Sequence, residues 1–400
     1  MNSEIDKIRV LYSFPLRLGV GRITTTAWYQ IDGLGKAGAK ITVYPSAIAK
    51  TLANGIIVTP TLALGKLRLP VRLLGRIRTA ALHDRIVAHR LEKIASQIDI
   101  IHTWPIGALE TLKTAKRLGI PTVLERCNAH TRFGYEVVQN ECKRLGVELP
   151  PNHEHAFNHE ILKIEEEEYR LAYRLLCPSD FVVKTFLDRG FKKEQLVRHI
   201  YGVDEHIFYP DNRPVNESNG ITMLSVGVCA VRKGLHYALQ AWIESPASKN
   251  GRFLIAGEFL PAYAEKLSAM LAHPSVKVLG HRNDVQALMR ESDILVLSSI
   301  EEGFGLVCTE AMASGCVPLV SNACTELCVH GENSLVHPVG DVNTLRDHIS
   351  LVNADRKLLG RLRTAGLKKV PEITWDAAGK KLLDVYREVI GSYSREHAQK

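Results

Sequence analysis

The sequence predicts an α/β protein of two doubly wound parallel-sheet domains facing a central cleft. Three observations predict it. Short apolar, β-branched runs alternate with amphipathic stretches along the whole chain. The rhythm breaks near 209–219 (YPDNRPVNESN), a segment rich in Pro, Asn and polar residues, and then restarts. The 400 residues, at about 150 per domain, leave room for two or three units, each able to bury its own core.

The first half opens with the run Val10-Leu11-Tyr12, a Gly-containing loop and a helix-like stretch from Thr24 to Ala37. The β-branched run Lys40–Tyr44 follows, then Ile98–His102, Pro121–Glu125, Leu175–Pro178 and Leu196–Tyr201. The second half repeats the pattern with Ile221–Val226, Arg252–Ala256, Val276–Leu279, Asp293–Leu297 and Val317–Val320. Gly234–Trp242 and Leu306–Ala313 read as helices between them, and Ala377–Ser392 as a last helix. The domains therefore run 1–212 and 213–376, with 377–400 as a terminal helix. In open parallel sheets ligands bind at the carboxyl ends of the strands, so the cleft between the domains is the expected site.

Composition excludes several classes. Apolar residues are 46% and charged residues 24% of the chain, enough apolar surface to offset chain entropy and exclude disorder as the main state. With 29 Gly and 17 Pro, collagen-like and low-complexity chains are excluded as well. Subtracting 43 acidic from 51 basic residues leaves +8, which suits anionic small molecules, nucleic acid or an acidic membrane without choosing among them. The first residues, MNSEIDKIRV, show no secretory signal, and no 18-residue apolar run exists to span a membrane. The eight cysteines form no C-x-x-C pair, so reduced, buried thiols in a cytoplasmic protein are expected.

The stretch from Ser298 to Gly315 (SSIEEGFGLVCTEAMASG) carries the most chemistry. It lies between two strand-like runs. Gly303 and Gly305 have no Cβ, so their amides are expected to approach a ligand closely. A helix starting at Leu306 presents free N–H groups and the positive end of its dipole, a site for a diphosphate. Glu302 precedes that helix and Glu310 lies one turn inside it. Two carboxylates beside a phosphate-binding helix end suit a ligand with both phosphate and sugar hydroxyls.

The E-x7-E spacing of Glu302 and Glu310, with Gly303-Phe304-Gly305 behind the first and E-A-M-A-S-G-x-P behind the second, resembles the signature of glycosyltransferase family 4 (glycosyl transferases group 1). Val226-Gly227 with Arg232-Lys233-Gly234 resembles the family's donor-phosphate strand and loop, although Val228 stands where many members carry Arg. Gly202-Val203-Asp204 with Phe208 and Pro210, Asn333–Asp341 (NSLVHPVGD), and Thr374-Trp375 with Tyr386 resemble further segments, so the likeness runs along nearly the whole chain.

The resemblance implies a retaining enzyme of the GT-B fold, two Rossmann-like domains with the last helix crossing back to the first. Lys233 and Arg232 would hold the donor diphosphate and stabilise the leaving group, since charge develops on the oxygen that departs. Glu302, with the amides of Gly303, Phe304, Gly305 and Leu306, would contact the transferred sugar, and Glu310 the ribose. In the first domain the loop Leu18–Arg22, with Gly19 and Gly21, would close over the diphosphate, and His130 after the PTV run would contact the sugar or its leaving group. No metal and no other cofactor is implied, because Arg, Lys and a helix end take that role and no Asp-x-Asp motif is present. The expected partners are a nucleoside-diphosphate sugar, UDP- or GDP-linked, and a hydroxyl acceptor in glycan, glycolipid or cell-surface polysaccharide synthesis.

Two stretches admit other readings. His155 and His159 are four apart and would share one helix face, as metal ligands can, but a solvated face continuing into Glu165–Glu168 is the plainer reading, with an acceptor-site role open. Residues 66–90 interleave Leu67, Leu69, Leu73 and Leu74 with Arg68, Arg72 and Arg76, a pattern suited to peripheral contact with an anionic membrane, or simply to a surface helix and loop. Aromatics at 6% and not interleaved with the basic residues argue against nucleic acid. The rival functions are a nucleotide-sugar epimerase or phosphorylase on the same fold, and a catalytically silent GT-B subunit that binds carbohydrate or protein.

Overall fold

The computed structural model describes residues 7–21, 23–65, 67–68, 74–211 and 220–398. In the first half, strands β1 (Arg9–Leu18), β2 (Lys40–Ile48) and β3 (Ile57–Val58) precede the small hairpin of β4 (Ala63–Leu64) and β5 (Leu67–Arg68). Strands β6 (Ile100–Thr103), β7 (Thr122–Glu125), β8 (Arg174–Cys177) and β9 (Leu196–Arg198) complete that half. All but the hairpin form one parallel sheet, ordered β3-β2-β1-β6-β7-β8-β9.

The second half carries β10 (Thr222–Val226), β11 (Arg252–Ala256), β12 (Val276–Gly280), β13 (Ile294–Leu297), β14 (Val317–Ser321) and β15 (Leu335–His337). They form a parallel sheet ordered β12-β11-β10-β13-β14-β15. Helices connect the strands, as parallel pairing demands. Central strands are buried on both faces, so β13 reads ILVL with every residue inside. Trp242, Phe253 and Tyr263 anchor the core of the second domain, each fully buried. Removing a side chain such as Phe253 from water contributes about 1.5–3 kcal/mol.

The last helix, Trp375–Ala398, starts earlier and ends later than its sequence pattern suggests. It packs on the helix Ile23–Lys36 of the first domain at a crossing of two glycines. A Cβ on Gly33 would stand 2.7 Å from the Trp375 carbonyl, and one on Gly379 would overlap the backbone of Gly33. Beyond the crossing, Tyr386 is buried with its hydroxyl 2.6 Å from His102 Nδ1. The outward and return connections lie side by side, where the Val203 amide donates to the Ile373 carbonyl at 2.9 Å.

Some expectations change. The strands β3, β4, β5 and β15 are two or three residues long, too short to give a periodic signal. His155 and His159 share no helix face: the helix begins at His159 with Asn158 as its N-cap, and His155 lies in the preceding loop. Arg22, the boundary segment 212–219, Lys66 and residues 69–73 lie outside the described residues. The rest of the basic stretch forms the hairpin, in which Leu64 and Leu67 are exposed, and the helix Arg76–Ile94. Among the described residues no helix is long and apolar enough to cross a membrane. All eight cysteines are free thiols, and only Cys127 is not fully buried.

Candidate active site

Strands β10 and β13 are neighbours, with Met223 paired to Ile294. Their carboxyl ends therefore release two loops side by side. The loop after β10 tightens into a helical turn, Val231–Lys233, that ends on Gly234 at φ +62°, a conformation that favours glycine. A Cβ there would overlap the Ser298 carbonyl of the second loop, whose Ser298 hydroxyl donates to the Gly234 carbonyl at 2.8 Å. The Ile300 amide donates to the Arg232 carbonyl at 2.9 Å. These bonds bring the basic pair and the acidic pair together across some seventy residues of sequence.

Four charges result. Lys233 Nζ donates to Glu302 Oε2 at 2.5 Å, and Ser299 Oγ donates to the same oxygen at 3.2 Å. Arg232 Nη1 reaches Glu302 Oε1 at 3.4 Å, Glu301 Oε2 at 3.2 Å and the Glu301 carbonyl at 3.0 Å. Burial alone would raise the Glu302 carboxyl, but the charges of Lys233 and Arg232 outweigh it and hold it at about 2. Burial likewise opposes ionisation of Glu301, and the charge on Arg232 with the contact from His155 reverses it. Both carboxylates are ionised, and both cations are already oriented.

Glu301 is the residue that the motif reading passed over. It is 1% exposed and accepts from the Ala129 amide of the first domain at 3.1 Å, with His155 Nε2 at 3.6 Å. The adjacent Glu301-Glu302 doublet was the visible signal, but only Glu302 matched the spacing.

The glycine turn works differently from its expected role. Gly303 has no room for a Cβ because the Cys127 carbonyl of the first domain occupies that place, and its own carbonyl accepts from Ser179 Oγ at 2.6 Å. Its smallness serves the contact between domains. Phe304 also turns away from the cleft, 2% exposed, with its ring 5.3 Å from Tyr201, so only its backbone remains for a ligand. Gly305 sits at φ +79° as the N-cap of the helix Leu306–Ala313, which starts without a side-chain cap. Glu310, on the same helix, has no hydrogen-bond partner among the described residues, and burial pushes its carboxyl up to about 7.

In the first domain, Gly19 at φ +82° and Gly21 at φ +127° form the turn after β1. Thr24 closes it, its hydroxyl accepting from the Val20 amide at 2.8 Å and donating to the Gly21 carbonyl at 2.9 Å. Ile23, next to this turn, lines a cavity together with Glu301.

His130 is not brought to this place. It is the N-cap of the helix Thr131–Leu145, its Nδ1 accepting from the Arg132 amide at 3.2 Å, and its ring packs on Phe186 at 4.9 Å and Tyr169 at 5.2 Å. It lines a separate cavity with Arg132 and Arg189. Burial and those neighbouring cations, with Arg126, hold it neutral, its pKa lowered to about 3. The run Cys127-Asn128 just before it faces the cleft instead.

Comparison with known proteins bears on this geometry. Residues 220–355 match the family model described as glycosyl transferases group 1. The chain is 25% identical over 231 residues to the lipopolysaccharide core biosynthesis glycosyltransferase LpsE of Rhizobium meliloti, covering 55% of this chain and 66% of that one. It spans between 44% and 66% of the length of the curated relatives it matches. A sucrose-phosphate synthase from Thermosynechococcus elongatus superposes with a TM-score of 0.68 at 18% identity, over 96% of this chain and 100% of that one. HepE of Anabaena, in complex with UDP-glucose, superposes with a TM-score of 0.66 at 16% identity, over 95% and 100%.

Proposed function

We propose that this chain, a GT-B protein whose second domain is a group 1 glycosyltransferase domain, moves a sugar from a nucleoside-diphosphate sugar to a hydroxyl acceptor with retention at the anomeric carbon. The product belongs to glycan, glycolipid or cell-surface polysaccharide synthesis. One observation carries the reading: Lys233, Arg232 and Glu302 form a preset ionic cluster at the ends of two adjacent strands, beside the uncapped amino end of the helix Leu306–Ala313.

The chemistry follows from that cluster. The diphosphate lies on the helix end and Lys233, which neutralise the charge that grows as the glycosyl–phosphate bond breaks. Arg232 spends its contacts on Glu301 and Glu302 and keeps both carboxylates in place. Glu302, ionised, accepts hydrogen bonds from the sugar hydroxyls, and Glu310 those of the ribose. The acceptor oxygen bonds to the anomeric carbon as the phosphate oxygen leaves on the same face, and the acceptor proton passes to that phosphate oxygen. Glu302 is engaged as a hydrogen-bond acceptor with four donors of its own, which supports same-face attack over a covalent glycosyl carboxylate. No metal ion is required in this scheme. UDP is the first nucleotide to try, given the UDP-glucose bound by the Anabaena neighbour. The exposed Leu64 and Leu67 with the exposed Arg76 and Arg78 support a peripheral membrane contact for a lipid-linked acceptor.

The test is thermal melting of the full chain with UDP, GDP, ADP and their sugars in the presence of a chelator. At least one nucleoside diphosphate is expected to raise the melting temperature, about 2.7 kcal/mol of stabilisation at a hundredfold excess over Kd. Failure of every nucleotide, or a strict need for a divalent ion, overturns the reading. Slow donor hydrolysis, read as released nucleoside diphosphate, separates the enzyme from a silent binding subunit, which releases none.

A further inference from the structure

We propose that the cavity beside Glu301 seats an anionic group of the acceptor, a carboxylate or a phosphate, on the guanidinium of Arg126; this rests on the glycosyl-transfer reading above and names the acceptor's chemistry. The cavity lies at the carboxyl ends of β1, β6 and β7, where open α/β sheets bind ligands. Phe14, Trp104 and Tyr135 give it apolar walls, while Asn128 and Glu301 give it polar atoms on the side of the ionic cluster.

Arg126 directly follows β7 and is 2% exposed. Its Nη2 makes two long bonds, to the Ala129 carbonyl at 3.4 Å and Thr131 Oγ1 at 3.3 Å. Its Nε and Nη1 have no hydrogen-bond partner among the described residues. Native chains rarely leave buried donors unpaired, and a charged group makes the omission costlier. Glu165 forms a long ion pair with Nη2, and the guanidinium carbon lies 4.3 Å from the centre of the Tyr169 ring, but neither gives Nε or Nη1 a hydrogen bond. Glu165, at 3.6 Å from Nη2, accepts from the hydroxyls of Tyr169 and Thr131. Glu301 is held by Arg232 and the Ala129 amide. An ionised oxygen is the strongest partner for two spare guanidinium donors. A second cation, the exposed Arg76, lines the same cavity.

The cavity wall is also strained at Ile106. Ile106 has φ +71° and is the one non-glycine residue with positive φ among those described. A β-branched side chain resists that conformation, and such strain costs about 1–3 kcal/mol. It persists because Glu168, fully buried, accepts from the amides of Ile106 at 2.8 Å and Ala108 at 2.9 Å. Strain held in place at a cavity wall marks a shaped site, independently of the two unpaired donors of Arg126.

The experiment titrates the full chain, saturated with the nucleoside diphosphate that stabilises it, with glucose, glucuronate and glucose 6-phosphate. One of the two anionic sugars is expected to bind at least tenfold tighter than glucose, and the one that does tells carboxylate from phosphate. Equal binding of all three overturns the proposal. Arg126→Lys and Arg126→Gln are expected to erase the preference with less than twofold change in nucleotide affinity; a preference that survives places the anion elsewhere and overturns it. Because a buried arginine also supports folding, wild-type crystals soaked in the preferred sugar give a reading free of any variant. The anionic group within hydrogen-bond reach of Arg126 supports the site, and the group bound elsewhere removes it. Loss of anion preference with nucleotide binding intact refutes this inference alone, whereas absence of nucleotide binding refutes the transferase reading itself.

Discussion

Glu302 and Glu310 flank one glycine turn in opposite electrostatic settings. Glu302 is depressed to about 2 from 4.5 because Lys233 and Arg232 outweigh its burial, so its pairing stabilises the fold fully above pH 4.5 and is lost as pH falls through about 2. Glu310 is raised to about 7 from 4.5 by burial, so its ionisation costs stability progressively between those values, and fully above them. Glu310→Gln is therefore expected to raise the melting temperature at pH 8 and leave it unchanged at pH 4, measured without ligand. The same variant is expected to weaken binding of a nucleotide sugar by roughly tenfold or more at pH 8, because hydrogen bonds to a charged acceptor contribute about 1.5–3 kcal/mol. A variant that gains no stability at pH 8 would show that Glu310 is not desolvated in solution. Lys233→Ala is expected to lower turnover far more than stability, since Arg232 still screens Glu302. Equal losses in both would assign Lys233 a structural role.

At the scale of elements, the helix Leu306–Ala313 and the turn before it were legible in sequence because glycine spacing, helix start and carboxylates coincide in one stretch. What Gly303 does was not legible. Its missing Cβ answers to Cys127, some 175 residues away in sequence, and no local pattern carries that contact. The same holds for His130, whose identity suggested chemistry while its position at a helix start makes it a cap, and for Arg126, whose unpaired donors appear only once the sheet places them. The two glycines should separate in experiment. Gly305→Ala meets a left-handed backbone penalty of about 1–2 kcal/mol and two tight side-chain contacts, Cys308 Sγ and Leu297 Cδ2 at 3.3 Å, that yield more readily than backbone. Gly303→Ala must push the Cys127 carbonyl aside and part the two domains at the ionic cluster. Chemical unfolding is expected to show a larger loss for Gly303→Ala, and nucleotide-sugar turnover to fall with it. The reverse order would mean the domains meet more loosely at Gly303 than the packing indicates.

For the whole molecule, the last helix decides how the domains depend on each other. It leaves the second domain, yet Leu382, Leu383, Tyr386 and Val389 all pack into the core of the first. The first domain is thus completed by the chain's end, and its buried polar network closes there. Tyr386 meets His102, and Glu125 accepts from Gln30 at 2.9 Å, His199 Nε2 at 2.8 Å and Tyr201 at 2.9 Å. Gly379→Val would lift this helix off Gly33 and strand that network without touching the nucleotide cluster. In calorimetry with and without the stabilising nucleoside diphosphate, the transition that the nucleotide shifts belongs to the second domain. Gly379→Val is expected to lower the other transition by several degrees and leave the nucleotide-shifted one in place, with nucleotide affinity kept and transfer to an acceptor lost. If both transitions fall together, the helix does not complete one domain alone; it couples the two into a single cooperative unit, and the contacts at Gly303 and Glu301 then carry stability between them.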